Sequence, residues 1–269
     1  MLKGKNWQAY RLGQFLSLLP KRKTTPNTQN KNITLDIALD RFALNKAKPF
    51  RDFSVTGVRQ GVLWKNFRLQ GKADEPFNIV YNAKKSQFEG TFANLGDFMD
   101  RLNFSGRFGG GEISLLADQK KSGVIDGKIK VENAHLKETG FLMQAVTILG
   151  IVDAFRGKDM EFDEIEIPFQ LSPDFELTLR DAFAVGTNLG ITLKGKITLN
   201  AFDLSGSVVP AYAVNSLPGK IPLLGWLFRN GEGGGLINVP YTITGPLSAP
   251  ELEWSPLKTV APGALGRLF

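Results

Sequence analysis

The residue types with most chemical potential in this chain are a single histidine and one run of carboxylates. His135 lies at the end of an alternating segment. A general base needs an orienting partner and a nucleophile nearby, and the sequence supplies neither, so a solvated strand-end histidine is favoured. The acidic run at 159–166 places carboxylates at alternate positions, which could hold a hard cation. It lacks the pattern of a calcium loop, and a strand with a solvated carboxylate face is the favoured interpretation.

Two triple-glycine segments are the remaining candidates for a ligand-binding motif. Gly109-Gly110-Gly111 and the glycines at 233–235 match neither the GxGxxG nor the GKS/T phosphate pattern, so both are predicted to be turns. The chain contains no cysteine, no GxSxG elbow and no HExxH motif. The sequence therefore offers no catalytic residue, no metal site and no cofactor site, and it predicts that the protein is not an enzyme.

The composition favours apolar surroundings over nucleic acid as the partner of this protein. Among 269 residues there are 20 Phe but only four Tyr and four Trp, and Phe has no polar group to satisfy. The formal charge is +7, yet apart from the run at 21–23 the basic residues are scattered singly. We interpret them as solvated strand faces, leave a membrane-surface role open and expect no nucleic acid. The basic N-terminus is not followed by an apolar signal region, and the apolar stretch 141–155 is too short to span a membrane.

Alternation of apolar and polar residues dominates the chain after residue 31. Segments near 33–39, 63–69, 77–81, 125–131, 189–193 and 239–243 each repeat with a period of two. Strand after strand alternates in the same way, which predicts a mainly β fold: a long, curved antiparallel sheet with one apolar and one polar face. The apolar face must be covered by helices, a second sheet or ligand acyl chains.

Two helices interrupt this pattern. Asn94 can cap a short helix near 95–102, in which Asp97 lies in the first turn where the helix dipole favours a carboxylate. A second helix, near 140–156, is apolar almost all round, so it is expected to be buried or to touch lipid. We expect one or two such helices to cap or plug an open apolar groove.

The last third of the chain resembles a known family. Its features in chain order are a proline-ended strand at 206–215, an Ile-Pro-Leu-Leu-Gly turn at 221–225, a glycine-rich stretch at 231–236, a Tyr-x-Ile-Thr-Gly strand at 239–250 and a Pro-Gly tail at 255–269. This succession resembles the C-terminal region of bacterial AsmA-like proteins, particularly the long YhdP-type members. It divides the chain into an N-terminal segment and linker (1–30), a β-rich groove (31–184) and an AsmA-like C-terminal region (185–269).

The resemblance implies a conduit for lipid. Such proteins are anchored in the inner membrane, and their β-rich bodies lie in the periplasm, so this chain is expected to be the C-terminal part of a longer anchored protein. Their implied role is to carry phospholipid between the inner and outer membranes of Gram-negative bacteria. The expected partners are phospholipid acyl chains and the surface or proteins of either membrane.

Two sets of residues are assigned on this basis. The predicted groove lining consists of the apolar members of clear alternations, for which an ordinary core position is the alternative: Ile33, Leu35, Ile37, Ile125, Ile129, Val131, Ile191, Leu193, Ile197 and Leu199. The residues of the C-terminal motif are expected to set corners and close the end of the groove: Pro210, Tyr212, Pro222, Gly225, Gly245, Pro262 and Gly263.

Two other functions fit parts of the same pattern. A transmembrane β-barrel also has alternating strands and often a terminal Phe, but the tail at 262–269 does not alternate as a last barrel strand should. An outer-membrane assembly scaffold without lipid cargo would share the fold and differ only in what the groove holds.

Overall fold

The computed structural model describes fourteen strands and a seven-residue helix. The described residues are 2–8, 32–43, 48–101, 108–137, 147, 149, 159–187, 189–210, 239–246 and 250–255. The strands are β1 (Leu2–Gln8), β2 (Ile33–Ala43), β3 (Phe50–Gln60), β4 (Leu63–Lys72), β5 (Pro76–Asn82), β6 (Gln87–Phe92), β7 (Phe108–Gln119), β8 (Ile125–Leu136), β9 (Met160–Leu171), β10 (Leu177–Gly186), β11 (Leu189–Ile197), β12 (Ala201–Pro210), β13 (Val239–Pro246) and β14 (Glu251–Trp254). The helix is α1 (Leu95–Arg101).

Within each compact unit of the chain, the strands form a sheet in which each strand lies beside its neighbours in the sequence. Pairing is antiparallel from β2 to β7 and from β10 to β14. Short turns between alternating segments produce this order because two-residue to five-residue connections can join only antiparallel neighbours. The predicted mainly β fold with a long antiparallel sheet is confirmed.

The N-terminal strand was not apparent from the sequence. β1 pairs in parallel with β2, from Leu2 opposite Ile37 to Gln8 opposite Ala43. Its lysines, glycine and asparagine are poor strand formers, so pairing with β2 rather than local preference makes this segment a strand. The rest of the predicted N-terminal segment and linker, residues 9–30, lies outside the described residues.

Helix α1 begins where the sequence predicts a cap. Asn94 Oδ1 accepts a hydrogen bond of 2.9 Å from the backbone N–H of Asp97, so the predicted N-cap is confirmed. The last residue of the helix, Arg101, is buried, and its guanidinium donates to Asp97 and, at 2.8 Å, to Asp74 Oδ1. The hydrogen bond with Asp97 and then the Arg101 guanidinium lower the pKa of the Asp74 carboxyl. The predicted helix near 140–156 lies outside the described residues, except for Thr147 and Leu149.

The chain forms two compact units. The first unit comprises Met1–His135 and Gln170–Phe175, and the second comprises Leu136–Phe169 and Glu176–Phe269. The boundary at 184/185 drawn from the family resemblance falls within β10 of the second unit. Motif positions and backbone contacts thus divide the chain at different places, because a motif marks similarity whereas a compact unit is defined by packing.

Candidate functional site: the apolar face of the sheet

Cross-strand pairing aligns the apolar side chains of the first unit on one face of its sheet. The central row consists of Ile37, Val55, Leu69, Ile79, Gly90 and Leu115, each paired with the next. Paired residues share a face because side chains alternate along a strand. The alternate residues of β2, such as Thr34 and Asp36, are exposed. We call the side carrying the central row the apolar face of the first unit.

The apolar face is only partly covered along its central row. Val55 is buried, but the four other side chains of the row, those of Ile37, Leu69, Ile79 and Leu115, retain partial exposure. The apolar residues Ile33 and Leu35 of β2 are partly exposed on the same face. A packed core would bury such side chains almost completely, so this part of the face remains accessible.

Aromatic rings lie over glycines on this face. A Cβ atom at Gly57 would come within 2.9 Å of the Trp64 ring and 3.2 Å of the Phe67 ring. One at Gly71 would come within 2.8 Å of the Phe77 ring. The missing side chains of these glycines leave room for large rings, which contact one another edge to face, as Trp64 and Phe67 do at 5.0 Å.

One end of the apolar face is closed by α1 over an aromatic cluster. Phe98 of the helix contacts the rings of Phe50, Phe77 and Phe92 at centroid distances of 5.5, 6.0 and 5.0 Å. Phe50 and Phe77 are each at most 4% exposed. A helix packed on the sheet in this way fulfils the expectation that a short helix covers part of the face.

The predicted turn at Gly109-Gly110-Gly111 is wrong, because these residues lie inside β7. Gly110 and Gly111 have φ of 59° and 83°, a backbone conformation that residues other than glycine rarely adopt. A Cβ at Gly109 would overlap the His135 ring, 2.0 Å from Nε2. His135 lies at the end of β8, as predicted, but its ring is half-buried on these glycines rather than solvated.

The opposite end of the face, where the β3–β4 and β7–β8 turns lie, is closed by polar contacts. The backbone N–H of Trp64 donates to Gln119 Oε1 at 2.7 Å, and Gln119 Nε2 donates to Trp64 O at 3.1 Å and to the Tyr81 hydroxyl at 2.8 Å. The side-chain amide therefore joins β4 to β7 past the shorter β5–β6 hairpin, much as a strand neighbour would. A Cβ at Gly123 would lie 2.5 Å from that of Val62, so the two turns also touch.

A buried cation lies at the same end. Arg59, 3% exposed, donates from Nε to Gly61 O at 3.0 Å and from Nη1 to Pro173 O at 3.1 Å. Its guanidinium lies 5.8 Å from the centroid of the Phe175 ring. Sequence reasoning missed Arg59 and Gln119, because each is an isolated polar residue that bonds to residues remote in the chain, Pro173 for Arg59 and Trp64 for Gln119.

The residues predicted to line the groove occupy three environments. Seven are partly exposed in their strands: Ile33, Leu35, Ile37, Ile129, Ile191, Leu193 and Ile197. Ile125 and Val131 are buried, at 9% and 2% exposure, and Val131 packs near Gly111 beneath α1. Leu199 was wrongly placed in a strand: β11 ends at Ile197, and Leu199 is 70% exposed in the following turn.

The turn around Leu199 is set by Thr198. The Thr198 hydroxyl accepts hydrogen bonds from the N–H groups of Asn200 and Ala201, at 3.3 and 3.1 Å. These local bonds end the strand before the apparent alternation ends.

Two residues of the C-terminal motif are described. Pro210 is buried at the end of β12. Gly245 in β13 has a φ of 92°, which explains why glycine precedes Pro246. The remaining motif residues lie outside the described residues: Tyr212, Pro222, Gly225, Pro262 and Gly263.

The apolar face of the second unit forms a tighter core. Its buried cluster contains Leu149, Met160, Phe162, Leu189, Val208, Val239 and Tyr241. Val208 and Val239 are paired and have no exposed surface. The Tyr241 hydroxyl donates to Thr192 O at 2.7 Å, and burial raises the pKa of this phenol above its ordinary value. Such a hydroxyl is a structural hydrogen-bond donor rather than an acid–base group.

The acidic run lies largely in β9. Met160 and Phe162 are buried while Glu161 and Asp163 are exposed, so a strand with a solvated carboxylate face describes this segment. Within the described part of the chain, no three His, Cys, Asp or Glu residues form a group that could hold a metal ion.

Comparisons with protein-family models, with curated proteins and with solved structures give no match to this chain. The described part of the chain contains no helix that is long and apolar enough to cross a membrane.

Proposed function

We propose that this protein is a non-enzymatic lipid conduit, which carries phospholipid by holding acyl chains against the apolar face of its sheet. The observation that supports the proposal most is the partial exposure of the central row, Ile37, Leu69, Ile79 and Leu115, on a face otherwise lined by aromatic rings. An apolar surface of this kind is stabilised when a ligand removes it from water.

The dimensions and energetics are compatible with acyl chains. The eleven residues of β2 span about 36 Å at ~3.3 Å per residue. This exceeds the roughly 15 Å depth of one leaflet of a bilayer's ~30 Å hydrocarbon core. Each methylene group buried contributes about 0.8 kcal/mol. An acyl chain has apolar surroundings both in a membrane and on this face. Its transfer therefore requires only the exchange of one apolar contact for another.

The compartment is part of the same proposal. The resemblance of the last third to AsmA-like proteins supports a periplasmic location within an inner-membrane-anchored protein, and transport of phospholipid between the two membranes of a Gram-negative bacterium. A net charge of +7 favours contact with anionic membrane surfaces.

The experiment is native mass spectrometry of the chain purified from a bacterial periplasm, with organic extraction of what is bound. The test variant is Leu35→Asp/Ile37→Asp, which places two carboxylates on the apolar face. The matched control is Thr34→Asp/Ala38→Asp, which adds the same charge to the exposed positions of the same strand. We expect copurified phospholipid in the wild type and the control, and at least a fivefold loss in the test variant.

Circular dichroism must show that both variants keep the strand content of the wild type. A folded wild type that carries no lipid, and takes none up from phospholipid vesicles, would contradict the conduit and favour the scaffold. Equal lipid content in the two variants would show that lipid binds elsewhere.

A further inference from the structure

A small cleft opens at the turn end of the first unit, beside the Gln119 bridge. Its volume is about 230 Å³, and its lining includes Trp64, Tyr81, Gln119 and three lysines, Lys65, Lys120 and Lys121. Sites for drug-sized ligands occupy roughly 300–1,000 Å³. The cleft is therefore too small for a whole lipid and is of a size for one polar group.

The charge of the cleft is one-sided. Three of its described lining residues are cationic and none is acidic. Asp118 Oδ2 lies 3.7 Å from Lys120 Nζ, in an ion pair whose side chains are 54% and 51% exposed. Exposed pairs of this kind contribute only about 0–1 kcal/mol, so a ligand anion can compete with Asp118 for Lys120. The buried Arg59 adds a further positive charge to this end of the unit.

The floor of the cleft is continuous with the apolar face. Trp64 contacts Phe67 at a ring-centroid distance of 5.0 Å, and Tyr81 contacts Phe88 at 4.8 Å. The Gln119 amide holds both Trp64 and Tyr81 through hydrogen bonds of 2.7 to 3.1 Å. Cationic walls thus lie directly beside an aromatic apolar surface, an arrangement suited to an amphiphile with an anionic end.

We infer that this cleft binds a phosphate group, with Lys65, Lys120 and Lys121 as its counter-charges. Its source is the headgroup of an anionic phospholipid whose acyl chains lie on the apolar face. This assignment of the source rests on the proposed function, whereas phosphate binding itself does not. Lysine recognises phosphate as a point charge, and three lysines around one cleft attract the same anion together.

Isothermal titration calorimetry of the full chain tests the inference with three probes: dihexanoyl phosphatidylglycerol, dihexanoyl glycerol and inorganic phosphate. The test variant is Lys65→Gln/Lys120→Gln/Lys121→Gln. The control is Lys48→Gln/Lys137→Gln/Lys194→Gln, which removes the same charge from exposed positions elsewhere. We expect at least tenfold weaker binding of phosphatidylglycerol in the test variant and less than twofold in the control, with binding that weakens as salt rises.

The probes separate the two sources of phosphate. Inorganic phosphate that binds as tightly as phosphatidylglycerol, and is lost in the test variant, assigns the cleft to free phosphate. Tight binding of phosphatidylglycerol alone assigns it to a lipid headgroup. Phosphatidylglycerol binding that is weakened equally in both lysine variants, or in neither, overturns the assignment of the cleft as a phosphate site.

The lipid conduit is judged by a different result. Leu35→Asp/Ile37→Asp should weaken phosphatidylglycerol and dihexanoyl glycerol together and leave inorganic phosphate unchanged. Lipid binding that survives in the lysine variant keeps the conduit while it overturns the headgroup site.

Discussion

The two units use the same alternating pattern to build different apolar surfaces. In the second unit, Val208 and Val239 pair without any exposed surface inside a cluster of seven buried residues. In the first unit, Ile37 and Leu69 lie on an apolar face whose middle stays partly exposed, with covered ends. The second unit thus has a fully buried centre with partly exposed side chains such as Ile191 around it, whereas the middle row of the first unit is itself partly exposed and can be completed by another molecule.

This difference shows that alternation alone does not distinguish a core from a binding surface. Ile37 in β2 and Ile191 in β11 look alike in the sequence, yet Ile191 packs against the buried cluster of its unit. What differs is the covering. Leu149, which belongs to no strand, is buried in the cluster of the second unit, while α1 covers only one end of the first.

The largest difference between the two units is expected when one Asp is placed on the apolar face of each and the loss of unfolding free energy is compared. Val208→Asp buries an unpaired carboxylate and should cost about 4 kcal/mol or more of unfolding free energy, enough to prevent folding of the second unit. Ile37→Asp, at a partly exposed position, should cost roughly 1–2 kcal/mol. Urea unfolding followed by circular dichroism measures both. Equal costs would mean that the first unit is as closed as the second.

Replacing one glycine by alanine in each unit should also cost more stability in the second unit than in the first. A Cβ at Gly206 would lie 2.0 Å from Thr192 O, a backbone atom that cannot move aside, so Gly206→Ala should cost about 3 kcal/mol. At Gly57 the nearest atoms belong to the rings of Trp64 and Phe67, which can shift, so Gly57→Ala should cost about 1 kcal/mol or less. Denaturation midpoints of the two variants, compared with wild type, decide this. A larger loss for Gly57→Ala would contradict the interpretation of a yielding aromatic surface.

A smaller effect than at Val208 or Gly206 is expected at Tyr241. Tyr241→Phe removes the hydrogen bond to Thr192 O and should cost about 1–2 kcal/mol at neutral pH. Because burial raises the pKa of Tyr241 in the folded chain, the unfolded chain ionises first. The stability due to this shift is complete below pH ~10 and is lost as the pH rises further. Unfolding measured between pH 8 and pH 11 should show a shallower alkaline loss for Tyr241→Phe, and parallel curves would contradict it.

Much of the fold could be predicted because its signals are local. The period-two segments became strands, and Asn94 caps α1 as expected. The error at Leu199 reflects a local turn, but two others occurred where a contact between remote residues decides the structure. The run Gly109-Gly110-Gly111 stays within a strand because α1 and His135 pack closely on it. β1 is a strand because β2 pairs with it.

The candidate site also has one part that the sequence predicted and another that only the fold revealed. The sequence indicated an apolar face and named Leu35 and Ile37 on it, but it gave no sign of the Gln119 bridge or of the lysine-lined cleft. Lys65 lies near the start of β4 and the adjacent Lys120 and Lys121 follow β7, so only the folding of the sheet brings the three to one cleft. No local pattern records such a grouping.

The sequence by itself determined that this protein is a mainly β chain whose strands have one apolar and one polar face. The reason is that side-chain direction alternates with each residue of a strand, whatever the strand packs against. Only the tertiary structure decided which apolar side chains are buried. Val131 lies near Gly111 under α1, while Ile129 of the same strand stays partly exposed, because burial depends on what covers each position rather than on its residue type.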